Sequence, residues 1–245
     1  FDLANLKVAH TASYPVPANW KLAIENYMEC YHCAPAHKDY SRSHSLKDPA
    51  SMTDELVGAM QQKARAAGMD TTEISLPEQA GNGMNFYFRR YPLFSGYVTG
   101  SKDGTPVAPL LGKLGGYDGG TTDLQIGVLN NFLIYSDYVV GYRFVPTGVQ
   151  ETDIQVVWMV RGEAQAGRDY DPDTLTWLWH ETSLDDERII RVNQEGVNSH
   201  HFAPGPLSHM EWGIQSFYDN YLGMVAPAAW PHSGQVISLS SFMFR

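Results

Sequence analysis

The chain has 245 residues, 43% of them apolar and 18% charged, with 10 Phe, 14 Tyr and 6 Trp, a composition that excludes disorder, collagen-like repeats and coiled coils. Acidic residues outnumber basic ones by 27 to 17 for a net charge of −10, and the Lys and Arg residues are scattered, which argues against nucleic acid or an anionic membrane as the main partner. No apolar run approaches the roughly 18 residues of a membrane span, the start FDLANLKVAH lacks the zones of a secretory signal, and Cys30 and Cys33 lie too close together to close a useful loop, so a soluble, cytoplasmic chain without a disulfide framework is expected.

A strand is predicted over 6–16, where β-branched and aromatic residues run up to Pro15 and Pro17. A helix is predicted over 18–33: Pro17 suits its first turn, and Trp20, Leu22, Ile24, Tyr27 and Met28 supply apolar positions until Pro35. A second helix is expected over 53–67, closed by Gly68, then a strand over 84–91. Seven glycines and two prolines mark 100–122 as a loop. The alternating sets Ile126/Val128/Asn130/Phe132/Ile134, Tyr138/Val140/Tyr142/Phe144 and Ile154/Val156/Trp158/Val160 predict three antiparallel strands, each with one buried face. A long helix is expected from Pro172 to Val197, with Asp169 or Asp171 as its cap, then a shorter one over 211–224 and a strand-like tail over 235–244. The fold class is α+β. No repeat, linker or charge run divides residues 1–245, so one domain is expected; Phe1 in place of Met, with a strand following at once, reads as a piece of a longer polypeptide.

The densest polar cluster is the run Glu25-Asn26-Tyr27-Met28-Glu29-Cys30-Tyr31-His32-Cys33-Ala34-Pro35-Ala36-His37. On a helix Asn26, Glu29 and His32 share a face. His32 and His37 are five apart and meet one metal only where the helix ends between them, as Pro35 would force. Two histidines suit zinc, copper or iron, so a third ligand decides. In the long C-terminal helix Leu175, Trp179, Thr182, Asp186, Ile189/Ile190, Asn193 and Val197 follow the 3.6-residue period, which places Asp186 on an apolar face, where a carboxylate needs a partner or a metal. Asp185 next to it reads as a solvated helix residue. Two histidines and one carboxylate form the facial triad of non-haem Fe(II) oxygenases, which leaves positions open for dioxygen.

Asn19-Trp20-Lys21, Glu25-Asn26, Glu29-Cys30-Tyr31-His32-Cys33 and His37, followed later by Asp186, Gln194, Gly196, Ser199, Pro204-Gly205, Leu207-Ser208 and Glu211, resemble the catalytic domain of Rieske non-haem iron oxygenase α subunits. The resemblance is nearest the branch that demethylates quaternary ammonium compounds such as glycine betaine and carnitine. It implies that His32, His37 and Asp186 hold iron, that Glu29 is the acidic bridge by which an electron arrives, and that Asn26 lies beside the metal. It also implies a helix-grip (START/Bet v 1-like) domain with an antiparallel sheet wrapping long helices around a cavity, a trimer, and mono- or dioxygenation of a small organic substrate by O2. Electrons would come from NAD(P)H through a reductase or ferredoxin and a Rieske [2Fe–2S] cluster. That cluster needs two cysteines and two histidines in C-x-H and C-x2-H pairs, which nothing in these 245 residues provides, so the chain reads as a catalytic half whose donor lies outside it.

Two other readings compete: a helix-grip module that binds a small molecule without turnover, and a zinc hydrolase using the same three ligands with Glu29 as general base. Cys30 and Cys33 read as packed, reduced thiols. His44, His180, His200, His201, His209 and His232 receive no role. The aromatic excess is mostly core, although rings around a cavity also suit a methylammonium cation.

Overall fold

The alternation that marks the sheet in the sequence is realised in pairs of neighbouring strands: Val140, Tyr142 and Phe144 sit directly opposite Trp158, Val156 and Ile154, and all six are at most 5% exposed. Burying one such side chain is worth roughly 1.5–3 kcal/mol, so this face dictates the register. The computed structural model describes residues 1–29, 32–44, 50–70, 74–79, 85–208 and 211–225. Its strands are β1 (Leu6–Val16), β2 (Ile74–Gln79), β3 (Asn85–Pro92), β4 (Gly120–Ile126), β5 (Asn130–Ile134), β6 (Val139–Gly148) and β7 (Glu151–Arg161). They form one antiparallel sheet in the order β1-β7-β6-β5-β4-β3-β2. The helices are α1 (Trp20–Met28), α2 (Cys33–Ala36), α3 (Tyr40–Ser43), α4 (Ala50–Ala66), α5 (Pro172–Val197) and α6 (Trp212–Val225). The fold is thus mixed helix and antiparallel sheet, as the α+β expectation requires.

The inner face of the sheet carries the main core, in which α1 contributes Leu22, Ala23 and Ile24 and α5 contributes Leu175, Leu178, Trp179 and Ile190. Asp171 starts α5 by accepting from the Thr174 amide at 2.8 Å, with Pro172 in the first turn, while Asp169, the other expected cap, turns to Arg168 and the Gln165 amide. Among the described residues no helix is long and apolar enough to cross a membrane.

Three expectations are corrected. The helix predicted over 18–33 ends at Met28, and Glu29 is extended at φ −107°, ψ 151°. Pro35 therefore does not end it, but sits in the first turn of α2, where its missing N–H takes nothing from the helix ladder. The first of the three predicted strands is two, β4 and β5, separated at Gly127, whose φ of 66° suits glycine. The strand β2 was not expected at all. The predicted tail strand over 235–244 lies outside the described residues, as does Cys30.

At the α1–α6 contact, the Tyr218 hydroxyl donates to Glu25. Burial pushes the Glu25 carboxyl up from its ordinary 4.5 to about 7, with the Tyr218 bond and Lys21 offsetting only part of that cost. A carboxyl raised in this way leaves stability intact below pH 4.5 and removes it as pH rises through about 7, because the folded state retains the proton longer. Stability to urea should therefore fall between pH 5 and pH 8 by on the order of 3 kcal/mol at most. Glu25→Gln should remove that slope, and equal slopes in the two proteins would contradict the assignment.

Candidate metal centre

Helix α1 presents Asn26 on its last turn, Glu29 follows it in extended backbone, and α2 carries His32 at its N-terminal end and His37 at its C-terminal end. Helix α5 brings Asp186 from the other side of the core. Its Oδ1 is the meeting point: the Asn26 Nδ2 group donates to it at 2.7 Å, and His32 Nε2 and His37 Nε2 lie 3.1 and 3.0 Å away. All five sequence-predicted site residues thus converge, although Asn26, Glu29 and His32 do so without sharing one helix. Asp185 is set apart, with its Oδ2 3.4 Å from His37 Nδ1 and its side chain 40% exposed.

The two histidines are held at both ends. Glu29 Oε1 takes His32 Nδ1 at 2.5 Å, the arrangement by which a carboxylate fixes the tautomer and ring orientation of a ligating histidine. Burial works against a charged His32, but the hydrogen bonds and charges of Asp186 and Glu29 outweigh it and push the group up to about 10. Burial likewise opposes the Asp186 charge, and the donors His32, His37 and Asn26 prevail and hold its carboxyl below the usual range. The His32 and His37 rings stand 4.9 Å apart at 79°, so their Nε2 atoms aim at a common point rather than stack.

Donor chemistry and spacing fit a metal. Two ligands at right angles, each about 2.1 Å from an ion, are about 3 Å apart, the separation seen between Asp186 Oδ1 and either histidine. The set of two imidazoles and one carboxylate is that of a facial non-haem iron site. Cys33 is buried, with Sγ 4.0 Å from His32 Nε2, and the donor atoms of His32, Cys33 and His37 all fall within 4.8 Å of one another.

A cavity of about 130 Å³ opens beside these residues, larger than a single water needs. Its walls include Tyr27, Tyr40, Tyr87, Tyr91 and Trp179, with Asp123 on β4. Sequence reasoning missed His44, which also lines it. The His44 ring stacks on Tyr40 at 4.1 Å and 12°, Tyr40 meets His37 edge-on at 6.2 Å, and His44 Nε2 lies 2.7 Å from the Tyr135 hydroxyl. Burial drives His44 down to about 3, so it is a neutral prop behind Tyr40 and His37 rather than a charge. The spacing His37, Tyr40, His44, which puts these rings near one another along a helical stretch, is the signal that would have found it.

Residues 3–95 and 130–227 match the family of ring-hydroxylating α subunits, catalytic domain. The glycine betaine monooxygenase oxygenase subunit of Chromohalobacter salexigens is 33% identical over 233 residues, covering 90% of this chain and 50% of that protein. The subunit of the same name from Pseudomonas aeruginosa is 32% identical over 227 residues, covering 90% and 52%. A solved quaternary ammonium Rieske monooxygenase, described in connection with carnitine oxidation and inter-subunit electron transfer, superposes with a TM-score of 0.56 at 16% identity, covering 90% of this chain and 51% of that one. The chain spans about half the length of the curated relatives it matches.

Proposed function

The chain belongs to the family of ring-hydroxylating α subunits, as a catalytic domain, and on that premise we propose that it is the iron-bearing part of an O2-dependent oxygenase that oxidises a small organic substrate, with N-methyl groups of quaternary amines as the favoured target. The observation that carries the proposal is the convergence of His32 Nε2, His37 Nε2 and Asp186 Oδ1 at the wall of an aromatic cavity. We read these three as the iron ligands. When bound, Fe(II) supplies the activation of dioxygen. Asn26 holds the Asp186 carboxylate in place, and Glu29 keeps the proton on His32 Nδ1 so that Nε2 offers its lone pair to the metal. The rings of Tyr27, Tyr40, Tyr91 and Trp179 line the cavity, an aromatic wall of the kind that suits a methylammonium cation.

Electrons enter, in this reading, from a Rieske [2Fe–2S] cluster outside these residues, fed from NAD(P)H by a reductase or ferredoxin. Glu29 is 18% exposed and His32 14%, so the carboxylate touches both the metal ligand and the surface where a donor would dock. A trimer, in which a neighbouring subunit presents that cluster, and a helix-grip wrapping of the sheet around α5 belong to the same proposal. A zinc hydrolase would require Glu29 as a general base, whereas its carboxylate is engaged by His32; a binding module without turnover would not need three metal donors.

The test uses the chain loaded anaerobically with Fe(II), glycine betaine as probe and hydrogen peroxide in place of dioxygen and electrons. Hydroxylation of one methyl group consumes one peroxide and yields water, and the resulting carbinolamine releases formaldehyde and the dimethylated amine. Formaldehyde in proportion to loaded iron is expected; NADH with a reductase should give none without an added Rieske protein. Sustained NADH-dependent turnover by this chain alone would contradict the assignment of the electron source.

A further inference from the structure

Tyr27 lines the cavity, and its hydroxyl is buried without a hydrogen-bond partner among the described residues. The ring is fixed from behind, packing on Tyr142 at 5.6 Å and meeting Phe144 edge-on at 5.9 Å and 75°. It therefore cannot swing its hydroxyl out to solvent without breaking into the core. Burial, aided by the nearby Asp123 charge, pushes the phenol well above its ordinary 10, so the group keeps its proton and is a donor at physiological pH. Leaving such a donor unanswered is unfavourable. Among the described residues lining the cavity none is Lys or Arg, so, apart from the His32 imidazole already engaged by Glu29 and Asp186, an oxygen atom entering there is met by neutral donors.

Asn26 and Tyr27 are successive residues on α1, about 100° apart around the helix axis. The first reaches Asp186 and the second leans on β6 with its ring in the cavity wall, so one helix turn supplies a group that steadies a proposed metal ligand and a residue that lines the substrate space. Resting on the oxygenase reading above, we infer that Tyr27 is a specificity-determining residue whose hydroxyl donates a hydrogen bond to an oxygen of the substrate, either a hydroxyl or a carboxylate. Held there, a quaternary amine keeps one orientation, and compounds lacking an oxygen lose that anchor. A site built around such a donor discriminates strongly against analogues that leave it unpaired.

The experiment measures binding, not turnover. The Fe(II)-loaded chain, wild type and Tyr27→Phe, is titrated calorimetrically under argon with glycine betaine, choline and tetramethylammonium, which carry a carboxylate, a hydroxyl and no oxygen. In the wild type at least one oxygen-bearing probe should bind about tenfold or more tightly than tetramethylammonium, and the arm showing that preference identifies the oxygen. Tyr27→Phe should abolish the preference by weakening that probe about tenfold while leaving tetramethylammonium unchanged. Its thermal midpoint should equal or exceed that of the wild type, because the hydroxyl makes no bond within the fold. Unchanged discrimination in Tyr27→Phe, or equal wild-type binding of all three probes, overturns the role of Tyr27 while leaving the quaternary-amine reading in place. Failure of the iron-loaded wild type to bind any of the three overturns that reading and the inference with it.

Discussion

Replacing Asp186 by alanine should take the chain from about one Fe(II) per polypeptide to less than a tenth of that, while Asp185→Ala should retain iron. The difference follows from one atom. Asp186 Oδ1 sits 3.0–3.1 Å from the Nε2 atoms of both histidines and accepts from Asn26 at 2.7 Å, so its loss removes the proposed carboxylate ligand and the charge that aligns the two histidines. Asp185 meets only the far nitrogen of His37, at 3.4 Å and from a 40% exposed side chain; removing it loosens a ring and should weaken iron by no more than the roughly 10–100-fold that outer-shell changes cost. Metal content after anaerobic loading and desalting is the measurement. Iron retained in Asp186→Ala and lost in Asp185→Ala would move the ligand by one residue.

Glu29→Gln should separate metal binding from electron entry. The amide keeps the size of the carboxylate and still accepts from His32 Nδ1 through its oxygen, so the tautomer survives and iron should remain bound within about a hundredfold of wild-type affinity. The charge beside His32, a proposed ligand, and near the surface is lost, and NAD(P)H-coupled turnover, measured with the Rieske donor supplied, should fall by about an order of magnitude or more. The peroxide-driven reaction needs no electron through Glu29 and should fall much less. Iron lost as fully as in His32→Ala would make Glu29 a ligand; coupled turnover left intact would make it a helix-cap residue and nothing more.

Where local forces decide, the sequence was readable. The bounds of β1 agree with the pattern because a run of β-branched and aromatic residues is closed by Pro15 and Pro17, and those of α5 because it keeps one period against the core and Asp171-Pro172 marks its start chemically as well as by hydropathy. The α1 error has the opposite cause. Every apolar residue that supported the helix lies at or before Met28, and beyond it His32 is held by side-chain contacts, locally with Glu29 and across the core with Asp186, which no periodicity records. Ile126 and Val128 continue an alternation straight across a turn that only the backbone freedom of Gly127 discloses. The strand β2 contains Pro77 and, among the described residues, pairs on one side only, with β3, a place where proline is tolerated and the strand signal is weak.

The site was legible to the same extent. Asp186 stood out because a carboxylate interrupts an apolar stripe, and His32 and His37 because their spacing recurs with a third donor far along the chain. Asp185, His44 and the Tyr27 hydroxyl did not stand out. Their parts are defined by their surroundings: the far nitrogen of a histidine, a stacked tyrosine, or burial of a hydroxyl without a hydrogen-bond partner among the described residues.

The most direct measurement of the iron site is a crystal of the chain loaded with Fe(II) under argon, with diffraction recorded on both sides of the iron absorption edge. A single anomalous peak is expected about 2.1 Å from His32 Nε2, His37 Nε2 and an oxygen of Asp186, with Glu29 still on His32 Nδ1 and Cys33 Sγ outside bonding distance. A peak bonded to Cys33 Sγ or to Glu29, or one without Asp186 among its neighbours, would contradict the account.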